Sequence, residues 1–175
     1  MTTISTKAVV NGTATPKTLR FLVTVAAKQT VTLALKPGWN LIGVPLTLDD
    51  DSLDALFGDA RLIALYQYST AAGYTVPAEV TPGRAYWAFA NAAFSLELSG
   101  APASGGVPLT YGWNLVAPYT DSPNPMDGTT VIAVWAWDPV VGYYIPALDG
   151  SASVHSTMGI WVFTAQDTVI WNEGR

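Results

Sequence analysis

The chain reads Gly38-Trp39-Asn40-Leu41-Ile42 and, well downstream, repeats this segment as Gly112-Trp113-Asn114-Leu115-Val116. An alternating apolar stretch leads into each of these segments, at residues 31–35 and 107–109. A whole motif that returns further along a chain indicates a duplicated structural unit. The sequence therefore predicts two copies of one unit, over residues 30–100 and 101–175, preceded by a separate segment, residues 1–29.

Two further motifs return downstream of the first. An aromatic residue followed by Gly-Tyr and Pro-Ala occupies residues 68–78 and again 137–147, so its two occurrences lie closer together than those of the opening motif. The pattern Trp-x-Phe occupies residues 87–89 and 161–163, where the spacing of the opening motif is restored. Copy two has therefore lost five residues after its first motif and gained five before its last, both in turn-like sequence.

The local pattern predicts an all-β, mainly antiparallel and sandwich-like fold. Runs of β-branched and aromatic residues are bounded by glycine turns, and the connections are too short for crossover helices, so we expect about five short strands per copy. Residues 49–58 are the exception, because an acidic or serine cap, apolar residues on one side and a final glycine predict one short helix in copy one. Copy two has Pro123 and Pro125 at that place, which argue against a helix.

Composition excludes several classes of protein. The chain has no cysteine, so disulfides, thiolate metal sites and a cysteine nucleophile are ruled out. Charged residues make up only 12%, yet the longest uncharged run, residues 98–120, contains three prolines and four glycines, so no membrane span is expected. A secretory signal pattern is missing from the first residues, so either the numbering begins after processing or export uses another route.

Charge is divided sharply along the chain. Residues 1–36 carry five basic residues and no acid, whereas residues 37–175 carry three arginines against 13 acids, a net charge of −10. An acidic body disfavours nucleic acid as a partner, because phosphate binding relies on lysine and arginine. The basic segment is attracted to an acidic body, its own or that of a neighbouring subunit.

The basic segment, which we call the arm (residues 1–29), is strand-like. Leu19, Phe21, Val23 and Val25 alternate along it. One interpretation is an extra hairpin packed on its own module. The other is strand addition, in which the arm pairs with a sheet edge of the next subunit and joins subunits into a homo-oligomer or polymer.

One group of acids is dense enough to attract a cation. Asp49, Asp50, Asp51 and Asp54 could offer oxygen ligands to calcium. The spacing lacks the Asp-x-Asp-x-Asp-Gly pattern, and acids at the start of a helix are already stabilised by its dipole. The sequence therefore predicts a helix cap, with calcium as the alternative and no other cofactor.

Catalytic groups are scarce. His155 is the only histidine, and a solvated loop position is the simpler interpretation than a catalytic base. Asp138 and Asp149 could form a carboxylate pair for glycoside hydrolysis, but both lie in turn-like sequence, where aspartate commonly binds backbone N–H groups. We therefore expect no enzymatic activity.

The aromatic residues divide into two groups. Trp39, Trp87, Trp113 and Trp161 occupy matching positions in the two copies, which predicts that they pack in the cores. Tyr66, Trp135, Trp137, Tyr143 and Tyr144 are predicted to be more exposed, as a platform for a ligand.

These motifs together resemble a repeat module found near the ends of many bacterial extracellular and cell-surface proteins. That module opens with Gly-Trp-Asn-Leu, continues with an aromatic strand and Gly-Tyr, and closes with Gly-x-x-Tyr-Trp. Copy one matches over residues 37–44, 66–74 and 82–89, while copy two departs at its close, residues 158–161. The resemblance implies a surface or accessory role and no catalytic residues.

Two functional hypotheses follow. In the first, the chain is a non-enzymatic structural subunit of an extracellular fibre, a surface layer or a virion, joined to its neighbour by the arm. In the second, it is an accessory module of a cell-surface protein that binds a glycan or a surface protein through exposed aromatic side chains.

Overall fold

A computed structural model of the protein describes residues 27–50, 61–146 and 153–172, together with the backbone pairing of segments 5–6 and 19–20. The described residues form an all-β, antiparallel fold without a helix, which confirms the predicted fold class. Most of the helix expected over residues 49–58 lies outside the described residues. Within the described ranges, no helix has the length and apolar character needed to cross a membrane.

The strands are short and follow one another closely along the described chain. They are β1 (Ser5–Thr6), β2 (Leu19–Arg20), β3 (Gln29–Leu35), β4 (Gly38–Gly43), β5 (Leu46–Leu48), β6 (Leu62–Ser69), β7 (Gly73–Thr75), β8 (Ala85–Ala90), β9 (Phe94–Pro102), β10 (Val107–Leu109), β11 (Gly112–Val116), β12 (Ser122–Pro123), β13 (Val131–Asp138), β14 (Tyr143–Pro146), β15 (Ser153–Val154), β16 (Ile160–Thr164) and β17 (Thr168–Ile170). The expectation of about five strands per copy was therefore too low.

The two halves of the chain have the same main sheet. Its strand order is β4-β8-β6-β7 in the first half and β11-β16-β13-β14 in the second. Each sheet has a register shift at the same place, between Leu62 and Ala64 in β6 and between Val131 and Ala133 in β13. A smaller sheet packs against each main sheet, built on the β3–β9 pair in one half and the β10–β17 pair in the other.

The repeated asparagine explains why the opening motif returns. Asn40 Oδ1 accepts a hydrogen bond from Lys36 N (2.9 Å), and its Nδ2 donates to the carbonyl oxygens of Lys36 (2.8 Å) and Gly38 (3.0 Å). Asn114 makes the same three bonds, to Thr110 N (3.0 Å), Thr110 O (2.8 Å) and Gly112 O (3.0 Å). Both glycines have a positive φ, +93° and +100°, which other residues rarely adopt. The motif is thus a turn held by one side chain.

Each half has its own apolar core between its sheets. The first core includes Leu33, Val44 and Leu65, and the second includes Val107, Val134 and Val162. The fully buried Tyr86 keeps its hydroxyl satisfied, because it accepts a hydrogen bond from Thr81 N (2.8 Å). The halves are therefore two packed units, and a third cluster lies between them.

The contacts between the halves are reciprocal. Gly43 N donates to Thr157 O (2.9 Å), and Ala117 N donates to Gly83 O (3.2 Å). Ala117 is the repeat counterpart of Gly43, and Gly83 is the repeat counterpart of Thr157. The isolated bridges follow the same pattern, since Ile42 pairs with Met158 and Val116 pairs with Arg84. Such mutual exchange of equivalent positions defines a two-fold relation. We call this contact the junction.

The arm is described only in part. Ser5 pairs with Arg20 and Thr6 pairs with Leu19, so β1 and β2 form a short antiparallel pair within the chain. Phe21, Val23 and Val25 lie outside the described residues. Strand addition to a neighbouring subunit therefore stays a prediction.

Candidate functional site

The junction is an aromatic cluster contributed equally by both halves. Trp87 and Trp161 are each only 8% exposed and belong to a cluster with Leu41, Leu115 and two alanines. Trp87 packs on Trp137 with ring centroids 5.0 Å apart, and Trp161 packs on Tyr68 at 4.7 Å. Each buried indole therefore meets a ring from the opposite half.

Strand periodicity explains how the aromatic residues reach the junction. Along β8, Tyr86, Ala88 and Ala90 face the core of their own half, whereas Ala85 and Trp87 face the other half. Successive side chains of a strand point to opposite faces, and along β8 both faces are buried. This explains why β8 reads as the nearly continuous apolar run AYWAFA.

The four matching tryptophans differ in burial and in location. Trp87 and Trp161 are buried, as predicted, but at the junction rather than inside either half. Trp39 and Trp113 are 39% and 37% exposed, so their prediction as core residues was wrong. They lie on the rim of the junction in β4 and β11, the edge strands of the main sheets. The Trp39 ring contacts Trp87 and Phe89, and the Trp113 ring contacts Trp161 and Phe163, all within their own halves.

Two open pockets flank the buried tryptophans, and every lining residue is aromatic. The first pocket has a volume of about 370 Å³ and is lined by Trp39, Tyr66, Tyr74, Trp87, Trp137 and Tyr144. The second pocket has a volume of about 390 Å³ and is lined by Tyr68, Trp113, Trp135, Tyr144 and Trp161. Both volumes fall at the lower end of the range that holds small ligands or short segments of a polymer.

The two pockets are counterparts under the two-fold relation. Trp39 in the first pocket corresponds to Trp113 in the second, and Trp87 corresponds to Trp161. The strand register also makes Tyr144 the counterpart of Tyr74, because Tyr74 pairs with Tyr68 and Tyr144 pairs with Trp137. Tyr144 lines both pockets, so they adjoin each other.

The rings meet edge to face rather than in stacks. Trp39 and Trp87 are inclined at 89°, Trp113 and Trp161 at 88°, and Trp87 and Trp137 at 82°. The smallest angle between contacting rings in the described part of the chain is 44°, between Trp39 and Tyr66. The walls that meet at Trp87 therefore stand nearly at right angles and form notches instead of a flat platform.

Polar groups in the pockets are few and all belong to the rings. Trp137 Nε1 donates to Trp39 O (2.8 Å), which ties the rim of the first pocket to the opposite half. Trp161 Nε1 donates to the Tyr144 hydroxyl (3.2 Å). Burial, followed by the neighbouring Tyr144, raises the pKa of the Tyr74 hydroxyl, so it stays a neutral hydrogen-bond donor at physiological pH.

The predicted ligand platform is brought together in large part. Tyr66, Trp135 and Tyr144 are partly exposed and line the pockets, and Trp137 lines the first pocket while half-buried. Tyr143 is 58% exposed but lines neither pocket. Sequence reasoning missed Tyr68 and Tyr74 as well as the two rim tryptophans. The repeat at 68–78 and 137–147 carried the signal, but placed Tyr143 where the register places Tyr144.

The acidic group proposed for calcium is only half described. Asp49 Oδ2 accepts a hydrogen bond from Lys28 Nζ (2.8 Å), so this carboxylate already has a cationic partner. Asp51 and Asp54 lie outside the described residues. Within the described ranges, no three histidine, aspartate or glutamate side chains converge as a metal site.

The candidate catalytic residues that the structure describes, Asp138 and His155, each have a separate hydrogen-bond partner. Asp138 Oδ1 accepts hydrogen bonds from Val140 N (2.8 Å) and Val141 N (3.3 Å), which confirms the turn role predicted for it. Asp149 lies outside the described residues. His155 is exposed, and its Nδ1 lies 3.0 Å from Asp121 Oδ2. A hydrogen bond from Ser156 N and the contact with His155 lower the pKa of Asp121. The Asp121 carboxylate therefore links its own loop to the loop that carries His155 and Ser156.

Comparisons with known proteins add no further constraint. No protein-family model matches the chain, and neither the curated proteins nor the solved structures contain a match to it.

Proposed function

We propose that the chain is a non-enzymatic binding module of an extracellular or cell-surface protein, which holds a glycan or a segment of a protein in the two aromatic pockets. The observation that carries this proposal is the position of Trp39 and Trp113, large apolar rings left more than one third exposed at matching sites. Burying them inside either half would have stabilised the fold, so their exposure is consistent with a ligand taking that place.

The chemistry of the pockets supports binding without reaction. Their walls provide ring faces and tyrosine hydroxyls, which contact apolar groups and donate hydrogen bonds. Neither lining includes a carboxylate, an imidazole or an amine that could transfer a proton or attack a substrate.

Tryptophan fluorescence tests this function directly, because indoles line both pockets. A panel of neutral and charged oligosaccharides and of synthetic peptides is titrated into the protein. At least one class should give a saturable change, and Trp39→Ala should weaken its binding about tenfold or more. Tyr111→Ala is the matched control, since Tyr111 is 65% exposed and lines neither pocket. If no member of the panel gives a saturable change in fluorescence, the binding function is rejected.

Assembly through the arm is the second proposed function, and an open sheet edge favours it. Among the described strands, β14 pairs with β13 only, and all four of its residues are exposed, including Ile145 at 40%. An exposed apolar edge strand is a ready site for strand addition. The basic arm and the acidic body are also of opposite charge, which would draw the arm of one subunit to the body of the next.

Removing residues 1–27 tests assembly, because this deletion stops short of β3. In electron microscopy and sedimentation, the full chain should form rods, lattices or oligomers. The chain without residues 1–27 should sediment as a folded monomer. Monomers of the full chain at every concentration, or assemblies that survive the deletion, would count against this role.

A further inference from the structure

We propose that the two pockets together hold one proline-rich peptide in the polyproline II conformation, flanked by lysine or arginine residues. This inference rests on the binding function proposed above and names the ligand class of the same site.

The angles between the rings favour a compact apolar group over a flat one. A sugar ring is held best on a broad ring face, or between parallel faces, whereas the walls of the first pocket meet at 81° to 89° around Trp87. In the second pocket Trp161 meets Trp113 at 88° and Tyr68 at 69°. A prolyl ring fits such notches because several aromatic walls contact it at once, as in known aromatic grooves for proline-rich segments.

The polar groups of the pockets complement a polyproline helix. That helix has no internal hydrogen bonds, so each of its carbonyl groups is free to accept one. Tyr74 and Tyr144 place hydroxyls beside the rings that line the first pocket, and Tyr144 also lines the second. Hydroxyl donors between two apolar notches match an alternation of carbonyl groups and prolyl rings.

The arrangement of the pockets suits one continuous ligand. Since Tyr144 lines both pockets, one ligand that contacts this ring can extend into each of them. Two turns of polyproline II helix, about six residues, extend over about 19 Å, which is enough to occupy two adjoining pockets. The two-fold relation makes the two pockets similar. A polyproline II helix could therefore bind across them in either chain direction.

The net charge of the protein favours cationic residues on either side of the prolines. The pocket linings are uncharged, while residues 37–175 carry a net charge of −10. An acidic body repels anionic polymers and attracts cationic ones over about 10 Å at ordinary ionic strength. Lysine or arginine residues beyond the prolines would therefore strengthen binding without entering the pockets.

The test uses the full chain and three probes in fluorescence titrations. The first probe is a peptide of ten prolines with two lysines at each end, and the second replaces the prolines by glycine and serine. The third is a neutral β-linked glucose hexasaccharide. Only the proline peptide should give a saturable change, and its affinity should fall as salt is raised.

Matched variants separate the pockets from the fold. Trp39→Ala and Trp113→Ala should each weaken the proline peptide about tenfold or more, and the double variant should weaken it further, because one ligand spans both sites. Tyr74→Phe removes only a hydroxyl and should weaken binding about threefold. Its melting temperature is measured alongside, because this hydroxyl also hydrogen-bonds to the side chains of Trp87 and Tyr144. Tyr111→Ala should bind as the native chain does.

Each outcome bears on one conclusion. Saturable binding of the hexasaccharide, lost in Trp39→Ala, with none of the proline peptide overturns the peptide inference and leaves the binding function standing. Equal binding of the proline and glycine-serine peptides reduces the interaction to charge and also overturns the inference. If none of the probes and no member of the wider panel binds, both the inference and the binding function fail.

Discussion

Trp87→Ala is expected to lower the free energy of unfolding by about 3–5 kcal/mol, as is usual for a large aromatic side chain removed from a packed site. Trp87 is 8% exposed and contacts Trp39, Trp137 and Tyr144 at centroid distances of 6.1, 5.0 and 6.0 Å. Two of these neighbours belong to the other half of the chain, so the resulting cavity would lie across the junction. Urea unfolding followed by circular dichroism measures the loss.

The two-fold relation supplies a matched variant at the equivalent position. Trp161 is also 8% exposed and packs on Tyr68 and Trp113 at 4.7 and 6.1 Å, so Trp161→Ala should cost a similar free energy. Both variants should also disturb ligand binding in the pocket they line. A loss below about 1 kcal/mol in either variant would mean that the junction contributes little to stability.

Gly159→Ala is expected to destabilise the protein by about 1–3 kcal/mol, because it overpacks a close contact of the junction. A Cβ atom at Gly159 would lie 2.6 Å from Ala85 Cβ, 2.9 Å from Leu41 Cγ and 3.1 Å from Ile42 O. Ala85 is the repeat counterpart of Gly159 in the first half. Two equivalent residues thus face each other, and only one of them has room for a methyl group.

The rescue variant follows from that pairing. Ala85→Gly removes the nearest obstacle, so the double variant Gly159→Ala/Ala85→Gly should recover about half or more of the lost stability. Ala85→Gly alone should cost about 0.5–1 kcal/mol, the usual effect of glycine within a strand. A double-mutant cycle from chemical unfolding gives the coupling energy. Additive effects of the two substitutions would show that these residues do not oppose each other across the junction.

Much of the fold could be predicted from the sequence because its signals are local. The Gly-Trp-Asn turn, the alternating strands and the glycine turns each depend on neighbouring residues, and Asn40 and Asn114 make the same bonds in the structure. The helix expected over residues 49–58 lies mostly outside the described residues and stays a prediction.

The candidate site was harder to predict because it depends on how the halves meet. A residue repeated in both halves can serve a core or a junction, and the sequence does not distinguish Trp87, which is buried, from Trp39, which is not. Hairpin length was a second difficulty. Three residues separate Ser69 from its partner Gly73, but four separate Asp138 from Tyr143, and this extra residue moves Tyr144 into the pockets.

The reciprocal bridges of Ile42 with Met158 and of Val116 with Arg84 are those of a symmetric homodimer, here made within one polypeptide. Covalent linkage turns a bimolecular encounter into an intramolecular one, so dilution does not separate the partners. Linkage also releases the two partners from having identical sequences. A contact near the symmetry axis can then hold glycine on one side and alanine on the other. Two identical subunits encoded by a single gene cannot have this asymmetry.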